Sequence, residues 1–319
     1  LAEAITCVRQ RFLILLCLVA MPLWELAMHA TIVAQVPSLA DYNAAASFIR
    51  SQLQPRDLIA AAPSFIDPIL RWQLGDRMPL AMAGRSDDAA YERMWVLSIR
   101  SALPPATPGT APELARNFGR VRVLRYALPR SRVLFDFVSA WPSAEASIER
   151  AGKPEPCPMR GGGVPRGGGL GRAVLMPVTQ RFECDARTPW LFVSEVVLED
   201  LDNRPRHCLW QHPQGDAPIT LTFRDVPLGD ELVFYAGIYY EHERMREGGP
   251  IFATISIDGQ PRAQFEHRDG DGFRSLRVPT IAGGKPRGDV SVAVRAPEPR
   301  ARSFCWAATT RASRARGAP

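Results

Sequence analysis

The sequence predicts a chain of three parts: an N-terminal transmembrane helix, a small external α/β domain with a mainly parallel sheet, and a C-terminal antiparallel β-sandwich of the jelly-roll type. Three observations support this prediction. Residues 12–24 carry no charge. Residues 37–140 alternate helical and strand-like patterns, which is typical of an α/β layer. Residues 174–310 hold about eight short strand-like runs separated by turn residues, which is typical of a sandwich.

The apolar N-terminal stretch can be a membrane span, a cleaved signal peptide or a buried helix. Residues 12–36 are long enough to span a bilayer as a helix, with the polar interruptions near the far end. A signal peptide also needs small residues at its cleavage site, and here Met28 or Glu25 falls at the position three residues before the cut. We therefore favour a span. Arg9 and Arg11 place the stub of residues 1–11 in the cytoplasm, which puts the soluble domains on the periplasmic side of a bacterial inner membrane.

Residues 37–140 show the pattern of a small α/β domain. Asp41 is expected to cap a helix that continues to about Leu53 and ends at Pro55. Residues 58–62, 94–99 and 121–128 are apolar runs typical of buried strands. Further expected elements are a second helix over residues 63–74, closed by Gly75, and a strand over residues 132–138.

Part of the chain resembles a known enzyme family. Residues 41–76 and 85–100 are similar to the periplasmic segment that follows the last membrane helix in bacterial family 39 glycosyltransferases, the dolichyl-phosphate-mannose mannosyltransferase-like GT-C enzymes, and the resemblance covers about residues 9–138. It departs from the family pattern at Tyr42 and Arg56. It implies an enzyme with a lipid-phosphate sugar donor, whose catalytic acid lies in sequence that would precede this chain, so no catalytic residue is carried over. The matching positions are Asp41, Ala44, Ala45, Ile49, Asp57 and Ile59.

Residues 141–173 contain two glycine triplets and several prolines, which predicts a flexible linker. The sandwich is expected over residues 174–310. Within it, residues 253–267 are typical of a hairpin that turns at Asp258-Gly259. The strand pattern of this region is similar to that of galactose-binding-like carbohydrate-binding modules, a resemblance that implies a sandwich able to recognise glycan.

Composition narrows the functional classes. The net charge is +6, and only Lys153 and Lys285 among the 39 basic residues are not arginine. Because arginines are interleaved with acidic residues along the chain, we expect no nucleic-acid partner. The basic residues 311–319 are expected to form a disordered tail.

Cysteine positions predict two disulfides in the exported part. We favour Cys208 with Cys305, which join an early strand to the last one, and Cys157 with Cys184. An oxidising compartment permits both. A metal site at His207, Cys208 and His212 is the alternative, but these residues lack a paired Cys-x-x-Cys element, so we expect neither a metal nor another cofactor.

Sugar recognition needs an aromatic platform beside hydrogen-bonding groups, and one set of residues in the sandwich offers both. The alternative interpretation is that these side chains belong to core and rim packing. Residues 267–272 also resemble the start of a calcium loop but lack its bidentate glutamate, so we interpret them as a turn. The candidate carbohydrate-binding residues are Tyr240, Glu241, His242, His267, Asp269 and Asp271.

The leading functional hypothesis is a membrane-anchored envelope protein, the non-catalytic C-terminal portion of a glycosyltransferase-like membrane protein, with the lipid bilayer and a glycan or lipid-linked sugar as partners. The second hypothesis is a stand-alone, non-catalytic envelope binding or structural protein. A third is a hydrolase that uses Glu241, Glu243 or Asp269, which would require two carboxylates across a cleft. No catalytic centre is assigned.

Overall fold

The computed structural model describes residues 2–128, 132–161, 179–188, 190–280 and 285–312. The chain is a long N-terminal helix followed by mostly antiparallel sheets that form a β-sandwich. It divides into two compact units. The first combines Leu1–Gln54, Ala60–Gly75 and Trp95–Tyr126, and the second combines Pro55–Ile59, Asp76–Met94 and Ala127–Pro319.

The first helix, α1 (Ala2–Gln35), contains Pro22. The helical region from Ile14 onward includes an 18-residue window with a mean hydropathy of 1.7 and no buried residue. This window is long and apolar enough to cross a membrane, a test that a signal sequence also passes.

Helix α2 (Leu39–Gln52) begins at a capping box, and three residues separate it from the end of α1. Ser38 is the N-cap, and its hydroxyl accepts from the Asp41 amide, while the Asp41 carboxylate accepts from the Ser38 amide. Asp41 is therefore the N3 residue of the capping box and not the N-cap expected from the sequence.

Helix α3 (Asp67–Leu74) follows a 3₁₀ turn at Ser64–Ile66 and ends at Gly75, whose φ of 56° suits a glycine. A one-turn helix, α4 (Leu80–Ala83), lies further along the chain.

The smaller sheet has the order β1-β2-β4-β3. The Glu92 amide donates to the Arg56 carbonyl and the Ile99 amide donates to the Ala62 carbonyl, so β1 and β2 run parallel. Strands β3 and β4 form an antiparallel pair. The sheet expected to be mainly parallel is thus a mixed one, because β3 and β4 are joined by a tight turn without a crossover helix. Its strands are β1 (Asp57–Ala62), β2 (Arg93–Ser98), β3 (Leu114–Phe118) and β4 (Val121–Ala127).

The sandwich consists of an eight-stranded and a six-stranded sheet. The strands of the eight-stranded sheet are β5 (Arg132–Asp136), β8 (Met159–Gly161), β9 (Gln180–Glu183), β10 (Phe192–Glu199), β11 (Pro205–Gln211), β13 (Glu231–Ile238), β16 (Arg274–Pro279) and β18 (Phe304–Ala312). The strands of the six-stranded sheet are β6 (Glu145–Arg150), β7 (Lys153–Pro156), β12 (Ile219–Pro227), β14 (Ile251–Ile257), β15 (Gln260–His267) and β17 (Arg287–Arg295). Two short helices, α5 (Phe137–Ala140) and α6 (Tyr240–Met245), lie between strands.

The two sheets enclose one hydrophobic core. Trp306 is fully buried in it and stacks on Phe234, with 5.4 Å between the ring centroids. Its indole N–H donates to the side chain of Gln211, and the Gln211 amide nitrogen donates to the backbone carbonyls of Ile219 and Val292. Since those two carbonyls belong to the opposite sheet, Gln211 is a satisfied buried polar bridge between the layers.

The hairpin predicted at Asp258-Gly259 joins β14 to β15, and both turn residues have positive φ, 50° and 74°. The boundaries of the sandwich differ from the expected ones. Strand β5 pairs with β18, and β6 pairs with β12, so segments assigned to the α/β domain and to the linker supply sandwich strands. Residues 162–178, which hold the second glycine triplet, lie outside the described residues, as does most of the tail. Arg311, expected in that tail, is buried in β18.

Candidate functional site

Four connections cross from the eight-stranded to the six-stranded sheet, or back, at one end of the sandwich. Ile238, the last residue of β13, pairs with Phe304, the first residue of β18, while Arg295 at the end of β17 pairs with Phe252 near the start of β14. Consecutive strands must therefore change sheets here. We call this region the crossover end; its four segments are residues 212–218, 239–250, 268–273 and 296–303.

A buried carboxylate holds one of these connections in place. Glu243 lies in α6, and its side chain is fully buried. Its Oε1 accepts from the backbone amides of Gly270 and Gly272, at 3.2 and 2.7 Å. The buried His267 ring places its Nε2 3.4 Å from the same oxygen. Glu243 thus fixes the 268–273 segment to α6.

A buried ion pair fixes the same segment to the connection before β18. Arg302 has a side chain that is 1% exposed, and its guanidinium forms two hydrogen bonds to Asp269, of 2.5 and 2.9 Å. A Cβ atom added to Gly248 would lie 2.2 Å from Arg302 Nε, so only glycine leaves room for this guanidinium. Bidentate geometry makes this pair both strong and directional.

Several buried polar atoms at the crossover end have no hydrogen-bond partner within the described chain. Buried polar groups are nearly always satisfied, so these atoms are expected to bond to groups other than those of the described chain. Ordered water is the ordinary partner of polar atoms at this depth. The atoms are His242 Nδ1, Glu243 Oε2, both ring nitrogens of His267, and Arg302 Nε.

His212 and His242 have lowered pKa values and so favour their neutral forms. Burial lowers the pKa of His212 to about 4; its hydrogen bond to the Pro213 carbonyl opposes this shift, and the nearby His242 and Arg302 add to it. Burial is also the main cause that lowers the pKa of His242. Neutral imidazole offers one donor and one acceptor, which suits hydroxyl groups.

An aromatic group lies at the surface beside this buried cluster. The half-buried Tyr240 ring packs edge-to-face on buried Tyr239, with 4.7 Å between the centroids. Its hydroxyl donates to exposed Glu241 at 3.2 Å, and the Arg244 guanidinium lies 5.0 Å from its ring centroid. Tyr239 also contacts the His242 ring edge-to-face at 5.7 Å. Tyr240 is therefore a braced aromatic ring with a carboxylate at its hydroxyl and a guanidinium over the ring.

The structure separates the predicted sugar-binding residues into two groups. Tyr240, Glu241 and His242 lie together on α6. His267 is completely buried and so cannot contact a ligand at the surface, and Asp269 is occupied by Arg302. The partners of these two residues, Glu243 and Arg302, come from other connections, which is why their engagement was not predicted.

Asp271 is a partly exposed member of the 268–273 segment. Its carboxylate accepts from the Arg268 amide at 2.9 Å and pairs with Arg274 at 2.8 Å. Asp271 therefore closes the turn that its sequence predicted, and part of its surface remains at the crossover end.

The acid pair considered for hydrolysis is not arranged for it. Glu241 is exposed, whereas Glu243 is buried and engaged with backbone amides. Two carboxylates that flank a bond must both reach the same cleft. The structure thus gives Glu243 a positioning role.

Both disulfides form between the partners that the sequence favoured. Cys157 is bonded to Cys184 and Cys208 to Cys305. Cys208 is consequently not available to a metal, and the neighbouring His207 ring lies 2.5 Å from Glu195. No group of three or more His, Cys, Asp or Glu side chains in the described part of the chain is arranged to hold a metal ion.

Sequence reasoning missed Arg302 as the centre of this region. The available signal was an arginine two residues before the apolar run of β18, close to the predicted Cys305 bridge. In a chain this rich in arginine, that signal does not stand out.

No family model matches this chain, and no curated protein does. Solved structures give remote likenesses. One contains the CBM51-2 carbohydrate-binding module, in complex with GlcNAc, and INT domains of Clostridium perfringens ZmpB: identity is 15%, the TM-score is 0.29, and the match covers 37% of this chain and 25% of that chain. The chain thus spans about a quarter of that structure's length.

Two further likenesses are of the same kind. The CBM51 module of Clostridium perfringens GH95, in complex with methyl-galactose, is 13% identical with a TM-score of 0.27, over 37% of this chain and 81% of that chain. An exo-β-1,3-galactanase of Phanerochaete chrysosporium, with β-1,3-galactotriose, is 11% identical with a TM-score of 0.23, over 60% of this chain and 38% of that chain. Likenesses this remote carry no information on ligand or activity.

Proposed function

We propose that this protein is a membrane-anchored envelope protein whose β-sandwich recognises glycan at the crossover end. The anchor is α1, which is apolar and has exposed side chains throughout its described part. The two disulfides suit an oxidising compartment such as the periplasm, which supports an extracytoplasmic sandwich.

The braced Tyr240 ring is the observation that carries the glycan part of the proposal. Its edge-to-face contact with Tyr239 holds the ring in place before any ligand binds. Little side-chain entropy is therefore lost when a ligand binds to it. A sugar stacked on this ring would meet the Glu241 carboxylate and the Arg244 guanidinium, which are an acceptor and donors for its hydroxyl groups. An aromatic surface flanked by a few fixed polar groups is the usual composition of a small-ligand site.

The test is glycan binding by the full chain in detergent, with GlcNAc and methyl-galactose as the first probes and a glycan array for breadth. Tyr240→Ala should weaken binding by about tenfold, equivalent to about 1.4 kcal/mol, because the stacking surface is lost. Phe252→Ala is the matched control, since Phe252 is also half-buried beneath an arginine, with Arg295 4.6 Å from its ring centroid.

Two results would count against the proposal. Absence of binding to every glycan tested would remove recognition as the function and leave a structural envelope protein. Equal losses in the Tyr240→Ala and Phe252→Ala variants would remove Tyr240 from the site.

Glycosyltransferase activity is not part of the proposed function. The resemblance to family 39 rests on residues 9–138 alone, and no family model matches the chain. The reading frame upstream of Leu1 tests the wider context: further hydrophobic spans with an acidic residue in the first external loop would make this chain the tail of a polytopic enzyme.

A further inference from the structure

The short helical region before Gly75 is apolar on two opposite sides. Its inner side consists of Ile66, Leu70 and Leu74, which are buried. Its outer side carries Phe65 and Trp72, which are 67% and 71% exposed. A helix at a protein surface normally has a polar outer face, whereas this one has an apolar face that nothing in the described part of the chain covers.

The outer side chains form a continuous stripe. Phe65, Pro68, Ile69 and Trp72 follow the spacing i, i+3, i+4 and i+7, which places them on one helix face. Pro68 is exposed and Ile69 is half-buried. We call these four residues the aromatic stripe.

The stripe is tied to the apolar N-terminal helix within the same compact unit. Only residues 36–38 separate α1 from α2, and α2 packs against α3. At the far end of α2, Arg50 donates to the Gln73 carbonyl at 2.9 Å, next to Trp72. Fourteen residues of helix extend about 21 Å, so Trp72 is held about one helix length from the end of α1.

We propose that the aromatic stripe is a second membrane contact, which inserts into the headgroup layer of the same bilayer that α1 crosses. This inference rests on the proposed membrane anchoring. Tryptophan prefers the membrane–water interface, because its ring is apolar and its N–H is polar. The exposed Arg50 beside the stripe adds a cation that anionic headgroups attract. Because α1 tethers the stripe to the bilayer, the lipid is present at a high effective concentration, and the stripe does not need a strong membrane affinity of its own.

As a consequence, the α/β unit would lie against the membrane surface. With α1 as the only attachment, it could rotate freely about residues 36–38. Two points of attachment, α1 and the stripe, would set the orientation of α2 along the bilayer surface. One apolar anchor alone leaves that orientation undetermined.

The test places an environment-sensitive NBD probe at two exposed tryptophan positions, in full chains that carry Cys7→Ser and Cys17→Ser. One chain has Trp72→Cys, and the matched control has Trp190→Cys, because Trp190 is 54% exposed and belongs to the other unit. Both are reconstituted singly into nanodiscs of equal parts phosphatidylcholine and phosphatidylglycerol, with and without headgroup-labelled quencher lipid.

We expect emission from position 72 to shift to the blue and to fall about twofold with quencher lipid, as an interfacial side chain should, while position 190 is unchanged. Adding Phe65→Asp should abolish the quenching at position 72. Equal emission at both positions, with the chain retained in the disc, would overturn the stripe contact and leave the anchor intact. A chain that leaves the disc would overturn the anchoring and the inference together. A blue shift without quenching, increasing with the number of chains per disc, would overturn the lipid contact in favour of a second copy.

Discussion

Removing the Asp269 carboxylate should destabilise the sandwich strongly. In the Asp269→Ala variant, the Arg302 guanidinium keeps its buried position, at 1% exposure, but loses both of its short hydrogen bonds to a carboxylate. Breaking a buried ion pair from one side costs about 3–5 kcal/mol, because a charge is left buried without compensation. Arg302 has little scope to escape to water, since its Nε lies against Gly248 and has no partner in the described chain.

Urea unfolding of the full chain in detergent, followed by tryptophan fluorescence, measures this loss, because Trp306 reports on the sandwich core. Glu231→Ala is the control: it breaks a pair with Arg277, whose side chain is 65% exposed, and should cost less than about 1 kcal/mol. The double variant Asp269→Leu with Arg302→Met should lose less than Asp269→Ala, since no unpaired charge remains. If Asp269→Ala costs no more than Glu231→Ala, the pair is not buried in solution and the account of the crossover end fails.

Two further predictions concern the disulfides and pH. The Cys157–Cys184 and Cys208–Cys305 disulfides close loops of 27 and 97 residues that do not overlap. From the loop entropy, replacing the first pair by alanine should lower the free energy of unfolding by about 3.5 kcal/mol, and replacing the second pair should lower it by about 4.7 kcal/mol. Equal shifts of the urea midpoint in the two variants would contradict this order. Burial lowers the folded-state pKa of His212 to about 4, from an ordinary value of 6.5. Between pH 4 and pH 6.5 the unfolded chain therefore binds more protons than the folded chain. The contribution of His212 to stability, about 3 kcal/mol, is present above pH 6.5 and is lost as the pH falls towards 4. His212→Gln should flatten that part of the curve of unfolding free energy against pH, and an unchanged slope would show that His212 is not its source.

Much of the sandwich could be predicted from the sequence because its strands are local patterns. The 251–257 run alternates buried and half-buried residues, and it is followed by the Asp258-Gly259 turn, so neither depends on distant parts of the chain. Strand β11 was expected only as an early strand that holds Cys208, and its bounds were not predicted, since Pro205 and two charged or titratable residues precede its apolar end.

The candidate site was predicted only in part. Tyr240, Glu241 and His242 are adjacent in the sequence and stay together on α6. His267 and Asp269 are also close in sequence to solvent-facing residues, but Glu243 and Arg302, from two other connections, bury and engage them. No pattern within one segment reveals which polar residue will meet a partner 33 positions away.

The sequence by itself determined the features that depend on short-range chemistry: an apolar N-terminal helix, strand-forming runs separated by turns, and cysteines suited to two bridges. Only the tertiary structure decided which segments complete the sandwich and which polar groups are buried. Strand β5 lies beside β18, although the two are far apart in the chain, because sheet edges are satisfied by whatever strand the fold brings to them. Burial at the crossover end is likewise a property of four connections together, so His267 and Arg302 acquire their roles from packing and not from their sequence neighbours.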